Sequence, residues 1–200
     1  GFVSRGLGDV YKRQLVHHGG QPMTMFKYAC HKAGIDIEKI KIIDAGNGNQ
    51  MDTAFREGEG QYIHQQGPAP QQLAADGVGH VLAQLGPTIG ACGFSSLAAT
   101  PAWLATDTAR AFTRAYIKTR DYMNDASASE IAKAEKPLFP DIDLEVLTDC
   151  IATYQAMGCW TRHIDITQEG YDAMLDIFEY DGKLPHRYSY HQVCAPPPAI

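Results

Sequence analysis

LVHHGGQPMTMFKYACHKAGIDIEKIKIIDAGNGNQMDTAFREGEGQYIH, residues Leu15 to His64, alternates short apolar runs with helical patterns. That alternation is the signature of βαβ units on a mainly parallel sheet, so the class is α/β. Leu15 to His18 reads as a strand, Gly19-Gly20 as a turn, and Pro22 as part of the first turn of a helix reaching about Lys32, with Gly34 as its stop. Met23, Phe26, Cys30 and Ala33 supply the apolar stripe of that helix. Ile40 to Ile43 is a compact strand, followed by the turn-rich DAGNGNQ and a helix over about Gln50 to Glu57 with Met51, Ala54 and Phe55 on one side.

Downstream, Tyr62 to His64 is a short strand, and Gly67, Pro68 and Pro70 open a helix running towards Ala75. His80 to Leu85 and Ile89 to Phe94 read as two further strands. Beyond Phe94 the pattern is mostly helical. It predicts Pro101 to Leu104, then a long helix from Asp107 to about Met123, capped by Thr106, with Ala111, Phe112, Ala115 and Tyr116 facing inward. Ser127 and Glu130 form a capping box for the next helix, Asp141 or Asp143 caps one over Leu144 to Met157, and Thr167 caps the last, which reaches Tyr180 and stops at Gly182. The tail CAPPPAI reads as an extended surface strand or arm.

Upstream of Leu15 the reading is different. GFVSRGLGDVYKRQ carries charge and glycine without a sustained apolar period, so it is expected to hold neither a signal peptide nor a buried element. Its DVYKRQ, Asp9 to Gln14, resembles the translated end of a transposon-based sequencing adapter. The expected organisation is therefore residues 1–14 foreign to the fold, 15–87 a sheet-rich second lobe, and 88–200 a mainly helical return to the first lobe. An export signal, a lipid anchor and the first part of a ligand site would lie upstream.

Composition limits the function classes. With 44% hydrophobic and 20% charged residues the chain is of ordinary globular type. Its formal net charge of −6 and the lack of a Lys/Arg cluster leave no electrostatic footprint for a nucleic acid. No apolar run approaches the roughly 18 residues that a spanning helix needs. The five cysteines, Cys30, Cys92, Cys150, Cys159 and Cys194, show no Cys-x-x-Cys pair and no zinc spacing, and read as small buried hydrophobes. Cys150 and Cys159 could meet if helix and loop fold back. No metal or cofactor is called for.

Three loops that follow strands and open helices are the candidate binding elements. His18-Gly19-Gly20-Gln21 offers glycines for close backbone approach and a helix N-terminus with unpaired N–H groups, or simply a turn that needs glycine. Gly46-Asn47-Gly48-Asn49 sits where open α/β sheets place ligands, with Asn47 and Asn49 as candidate contacts, or as an ordinary Asn-Gly turn. His64-Gln65-Gln66 presents an imidazole and two amides able to donate and accept. Gln71 and Gln72 read as solvated. Ser95 is a fourth contact candidate, with Ser96 capping the following turn; Tyr154 and Trp160 could stack on a planar ligand or belong to the core.

The order strand, Gly-Gly-x-Pro helix, AGIDIEKIKIIDAGNGNQMDTAFREGEGQYIHQQGPAPQQL, strand, long helix resembles the middle and C-terminal parts of the family joining alkanesulfonate-binding proteins to thiamine-pyrimidine-synthase-like proteins. WLATDTARAFTRAY resembles the helix by which that family's chain returns to its first lobe, and DITQEGYDAMLDIF its C-terminal helix. The likeness spans nearly everything after Leu15. It implies a type II periplasmic-binding-protein-like fold of which this chain would be a fragment, and a solute-binding component of an ABC importer. Such a protein captures a small ligand by hinge closure and hands it to a membrane permease in the periplasm or cell envelope.

At His64-Gln65-Gln66-Gly67-Pro68 the sequence departs from the family's hydrophobic residue plus Glu-Pro, replacing a carboxylate with amides. Together with the absence of arginine from the three loops, this points to a neutral or zwitterionic planar ligand, whereas the resemblance implies a small, heteroaromatic, sulfonate-like or pyrimidine-like one. Two alternatives share the architecture. One is a synthase-like enzyme, although ACGFSS holds one cysteine, Cys92, where such enzymes carry a cysteine-rich motif, and His17, His18, His64 and His80 form no legible catalytic pattern. The other is the effector-binding domain of a LysR-like regulator, which would need an upstream DNA-binding module.

Overall fold

The computed structural model describes residues 2–4, 14–17 and 19–200. They form two compact units: one drawn from the residues up to Gly90 together with Glu135–Cys150, the other from Ala91–Ala134 and Ile151–Ile200. His18, expected as the last residue of a strand, and the adapter-like Asp9–Arg13 lie outside the described residues.

The first unit is a mixed α/β layer structure. In chain order it holds β1 (Phe2–Ser4), β2 (Gln14–His17), α1 (Gln21–Lys32), a 3-10 turn at Ile37–Lys39, β3 (Lys41–Asp44), α2 (Gly48–Arg56), β4 (Tyr62–His64), α3 (Ala69–Ala75), β5 (His80–Ala83) and the short α4 (Gly86–Ile89). The sheet order is β3-β2-β4-β1-β5. β2 runs parallel to β3 and to β4, whereas β1 is antiparallel to both β4 and β5. No element was expected ahead of Leu15, so β1 corrects the sequence reading. Its three residues join through backbone hydrogen bonds, which any non-proline segment can supply and no hydrophobic period announces.

Period-two alternation distributes the strand side chains over two helical layers. Leu15 packs with Met23, Phe26 and Cys30 of α1 and with the partly buried Ile42 and Tyr62. The next residue, Val16, joins Ile63, Met51, Ala54, Phe55 and Leu73 on the α2 and α3 side. Phe55, Val16, Ile63 and Leu73 have no measurable exposure, and each such side chain contributes about 1.5–3 kcal/mol on burial. Gly60 closes the α2–β4 turn against β2 with φ 69°; a Cβ there would meet Val16 Cγ2 at 3.0 Å and the Gln14 carbonyl at 3.2 Å.

Several expectations about this unit change. α2 starts at Gly48, two residues earlier than the spacing suggests, because Asn47 caps it. Ala33 is the exposed C-cap of α1, outside its buried stripe. Ile89 to Phe94 is no strand: Gly86-Pro87 starts one helical turn, Gly90 (φ 90°) ends it, and the chain continues without regular pairing to Thr100.

The second unit carries α5 (Pro101–Leu104), α6 (Asp107–Asp125), most of α7 (Ala128–Glu135), the last turns of α8 (Leu144–Ala156), α9 (Gln168–Tyr180) and α10 (Tyr190–Val193). Thr106 Oγ accepts from Ala109 N at 3.1 Å, Ser127 and Glu130 close the expected box, and Thr167 Oγ accepts from Gly170 N at 3.1 Å. The cap ahead of α5 is Thr100, which accepts from Trp103 N, and not Ser96. α6 is rotated from expectation: Ala109 and Thr113 are buried, while Ala111, Phe112 and Ala115 are exposed. Thr113 tolerates that burial because its hydroxyl donates to the Ala109 carbonyl at 2.8 Å. Cys150 and Cys159 are both free thiols, and residues 194–200 form neither helix nor strand. No helix among the described residues is long and apolar enough to cross a membrane.

Candidate functional site

Strand order determines where the first unit can hold a ligand. From β2 the chain steps to one side for β3 and to the other for β4, so the loops leaving the carboxyl ends of β2 and β4 diverge and leave a crevice. Open α/β sheets bind ligands at such a switch point. The carboxyl-terminal residues of these two strands are His17 and His64.

Those two imidazoles touch. His17 Nε2 and His64 Nδ1 stand 2.7 Å apart, with ring centroids separated by 4.9 Å. The Phe26 ring of α1 lies 5.8 Å from the His17 ring and 5.5 Å from that of His64. His17 is fully buried, whereas His64 is partly exposed. A hydrogen bond between two nitrogens of this kind holds one proton, so one ring donates and the other accepts.

Beside this pair opens a cleft of about 620 Å³, bounded by Pro22 at the start of α1, Gly48 and Asn49 of α2, His64 to Gly67 after β4, and Asp141 and Ile142 of the later segment in this unit. Two of the three candidate loops therefore meet here, and the third borders it. Gln65 joins them: its buried Nε2 donates to the Gly48 carbonyl at 2.6 Å. Gln66 is exposed at the cleft wall.

The residues differ in what remains available to a ligand. Asn47 is committed to structure, since its Oδ1 accepts from Asn49 N and Gln50 N, both at 3.1 Å, and Gln50 Oε1 returns the bond to Asn47 N at 2.9 Å. Two of the N–H groups that would have faced an anion are thus already used. Gly20 is the N-cap of α1 with φ 86°, a backbone angle that favours glycine, whereas a Cβ on Gly19 would meet open space. Gln21 follows at the helix start, partly buried, and His18 lies outside the described residues. Ser95 is exposed in the irregular stretch after Gly90 and is not among the cleft's lining residues. Tyr154 and Trp160 pack edge to face on each other, centroids 5.6 Å apart, in the second unit.

Three features at the cleft escaped the sequence reading. Arg56 lines the cleft but is held by Asp52 at 2.6 Å and Asp76 at 2.7 Å. Gln72, expected to be solvated, is buried; its Oε1 accepts from Asp143 N at 2.9 Å while its Nε2 donates to Asp76 at 2.8 Å and Asp143 at 3.2 Å. The Gln72 bond and then Arg56 hold the Asp76 carboxyl below the usual carboxylate range. The third is His17. The i, i+4 relations Asp52–Arg56 and Gln72–Asp76 were readable signals; the contact of His17 with His64 depends on sheet order and was not.

Chemically, the wall is amide, imidazole, an arginine engaged by carboxylates, and the carboxylate of Asp141. Among the described residues no three His, Cys, Asp or Glu side chains are grouped to hold a metal ion. Burial raises the thiols of Cys30, Cys92, Cys159 and Cys194, and takes Cys150 up to about 11, which keeps them protonated and weakly nucleophilic at neutral pH.

No family model matches the chain. It is 28% identical over 181 residues to a protein of Bacillus subtilis (strain 168) named "Putative binding protein YtlA", an alignment covering 88% of this chain and 53% of that protein. A solved structure from Bordetella bronchiseptica RB50 matches with a TM-score of 0.59 at 17% identity, covering 96% of this chain and 65% of that one. The chain thus spans about half the length of the Bacillus relative. At that identity the Bordetella likeness speaks to the fold alone, and what it supports is the mixed α/β arrangement described above.

Proposed function

We propose that this chain is part of a solute-binding protein of the type II periplasmic-binding-protein-like kind, serving an ABC importer and binding its ligand without transforming it. The observation that carries the reading is the cleft at the switch point, where the start of α2 meets the segment after β4 with Pro22 of α1 at its edge, faced by His64, Gln65 and Gln66. The name of the Bacillus relative supports a binding role. The membrane permease and the periplasmic or cell-envelope location follow from the family resemblance.

The ligand class follows from what the cleft has left. Arg56 is engaged by two carboxylates and the α2 N-terminus by Asn47, so the usual anion-holding devices are occupied internally. Amide and imidazole groups suit a small planar, neutral or zwitterionic molecule such as a pyrimidine or related heteroaromatic compound. A thermal-shift screen of the chain against pyrimidines, flavins, sulfonates, nitrate and amino acids tests this. The expected result is a concentration-dependent stabilisation, about 2.7 kcal/mol at a hundredfold excess over Kd, that Gln66→Ala weakens. A folded chain that responds to nothing in the panel would overturn the reading.

A further inference from the structure

We infer that His17 is a further residue of the cleft that acts through His64: the two imidazoles form a one-proton couple that can place a single positive charge on the cleft wall and cannot hold two. The inference rests on the reading of this cleft as the ligand site only for its consequence; the couple itself stands on geometry.

With 2.7 Å between His17 Nε2 and His64 Nδ1, there is room for one hydrogen and not for two. When both rings are neutral, either His17 Nε2–H donates to His64 Nδ1 or the reverse. One further proton taken from solvent can go to either ring. On His17 the charge would sit at zero exposure, against the Phe26 ring; on His64 it sits in the wall of an open cleft. Desolvation therefore directs the charge to His64, whose Nδ1–H then donates to neutral His17 Nε2. A second proton would put hydrogens on both facing nitrogens and must break the contact.

Among the described residues, charged groups come near the couple from β3, α2 and the later segment of this unit. Asp44 is the parallel register partner of His17 on the neighbouring strand β3. Asp52 and Arg56 of α2 and Asp141 face the same cleft as His64. Of these, Arg56 lies between Asp52 and Asp76, one guanidinium against two carboxylates, so that cluster is net negative and, with Asp141, favours a charge on His64. As pH falls through the first step, the wall gains one positive charge, and affinity for a ligand with an acidic group rises relative to a neutral one. That makes ligand capture and release proton-linked.

The test needs no ligand. Nitrogen-resolved NMR of the histidine rings is recorded on the chain from pH 8 to pH 4. The expected result is two separated steps, with His64 taking the first proton and His17 staying neutral until a lower pH, because coupled groups titrate as a pair. The backbone amides of Gln65 and Gln66 should move with the first step. In His17→Gln, the split should vanish and His64 should titrate in a single step. Coincident, independent titration of both rings, or Gln65 and Gln66 amides that stay still through the first step, would overturn the inference. An empty ligand screen would bear on the binding reading and leave this titration untouched.

Discussion

The two units use their polar groups differently. In the first, the polar side chains that matter are covered: His17, Gln65 and Gln72 are buried, each meets a partner far away in sequence, and they lie at the same end of the sheet as the strand-following loops. In the second, polar side chains mostly cap helices or pair across solvent, Gln155 with its bonds to the Met123 and Ala126 carbonyls being an exception, while large apolar groups reach the surface in both units, among them Leu82 and Leu138 in the first and Phe112 and Tyr188 in the second. Burying a polar group without a partner is costly, so one that is buried and partnered at long range reports a constraint on geometry. An exposed cap or ion pair reports only local helix chemistry. The first unit is therefore where function should be sought, and mutations are the way to break that contrast.

The largest expected effect is in the first unit's core. Phe55→Ala removes a fully buried ring from contact with Val16, Ile63 and Leu73, and should cost about 3–5 kcal/mol in urea denaturation. Phe112→Ala in the second unit, at 46% exposure, should stay within about 0.5 kcal/mol. If the two costs were alike, exposure would be a poor guide to what holds this chain together.

Next comes Gln72→Leu, which strands Asp143 N and withdraws the strongest influence holding Asp76 low. A loss of about 1–3 kcal/mol is expected from the unmet buried groups. The pH dependence carries a sign. Because the Asp76 carboxyl is depressed on folding, its contribution is present above its unfolded value and is lost as pH falls through the folded one. Wild type should therefore lose stability in the acidic range below ordinary carboxylate titration, and Gln72→Leu should flatten that limb. An unchanged acid limb would show that Asp76 is not the group responsible.

How much of this was legible depended on range. Strands β2 to β5 and the start of α6 could be read because alternation, glycine turns and capping residues act within a few positions, as at Tyr62–His64 and Thr106. β1 was missed because three residues can pair through backbone alone. The inward face of α6 was misread because Phe112 is the more apolar residue, yet the helix buries Ala109 and Thr113 instead. For the candidate site, the loops at Asn47 and His64 were found from strand-end position. Their different fates were not legible: whether an amide caps its own helix or faces a cleft is decided by a hydrogen-bond geometry, and the meeting of residues 17 and 64 by strand order.

A helix cap is the third and smaller test. Thr167→Ala removes the hydroxyl that accepts from Gly170 N at the start of α9, with an expected loss of about 1 kcal/mol. Thr167→Asn should keep most of that stability, since the amide oxygen can replace the hydroxyl as acceptor. If Asn fails as badly as Ala in thermal unfolding, the side chain has a role other than capping.

The smallest effect makes the sharpest comparison, because the same device occurs in both units. Arg56 sits between Asp52 and Asp76, and Arg162 between Asp121 and Asp125. Side-chain exposure is 36% for Arg56 against 56% for Arg162, and the carboxylates beside Arg162 are also the more open. Water and salt screen the second group almost fully, so ordering three long side chains offsets most of what their attraction gains. Arg162→Gln should therefore leave the urea midpoint unchanged at moderate salt, even though Arg162 holds the Asp125 carboxyl low in the folded chain. Arg56→Gln should lower the midpoint measurably, because it leaves Asp52 and Asp76 facing each other across a cleft wall with only Gln72 to bond one of them. Equal effects would mean that coverage does not separate the two arginines, and Arg56 could then no longer be counted as withheld from an anionic ligand.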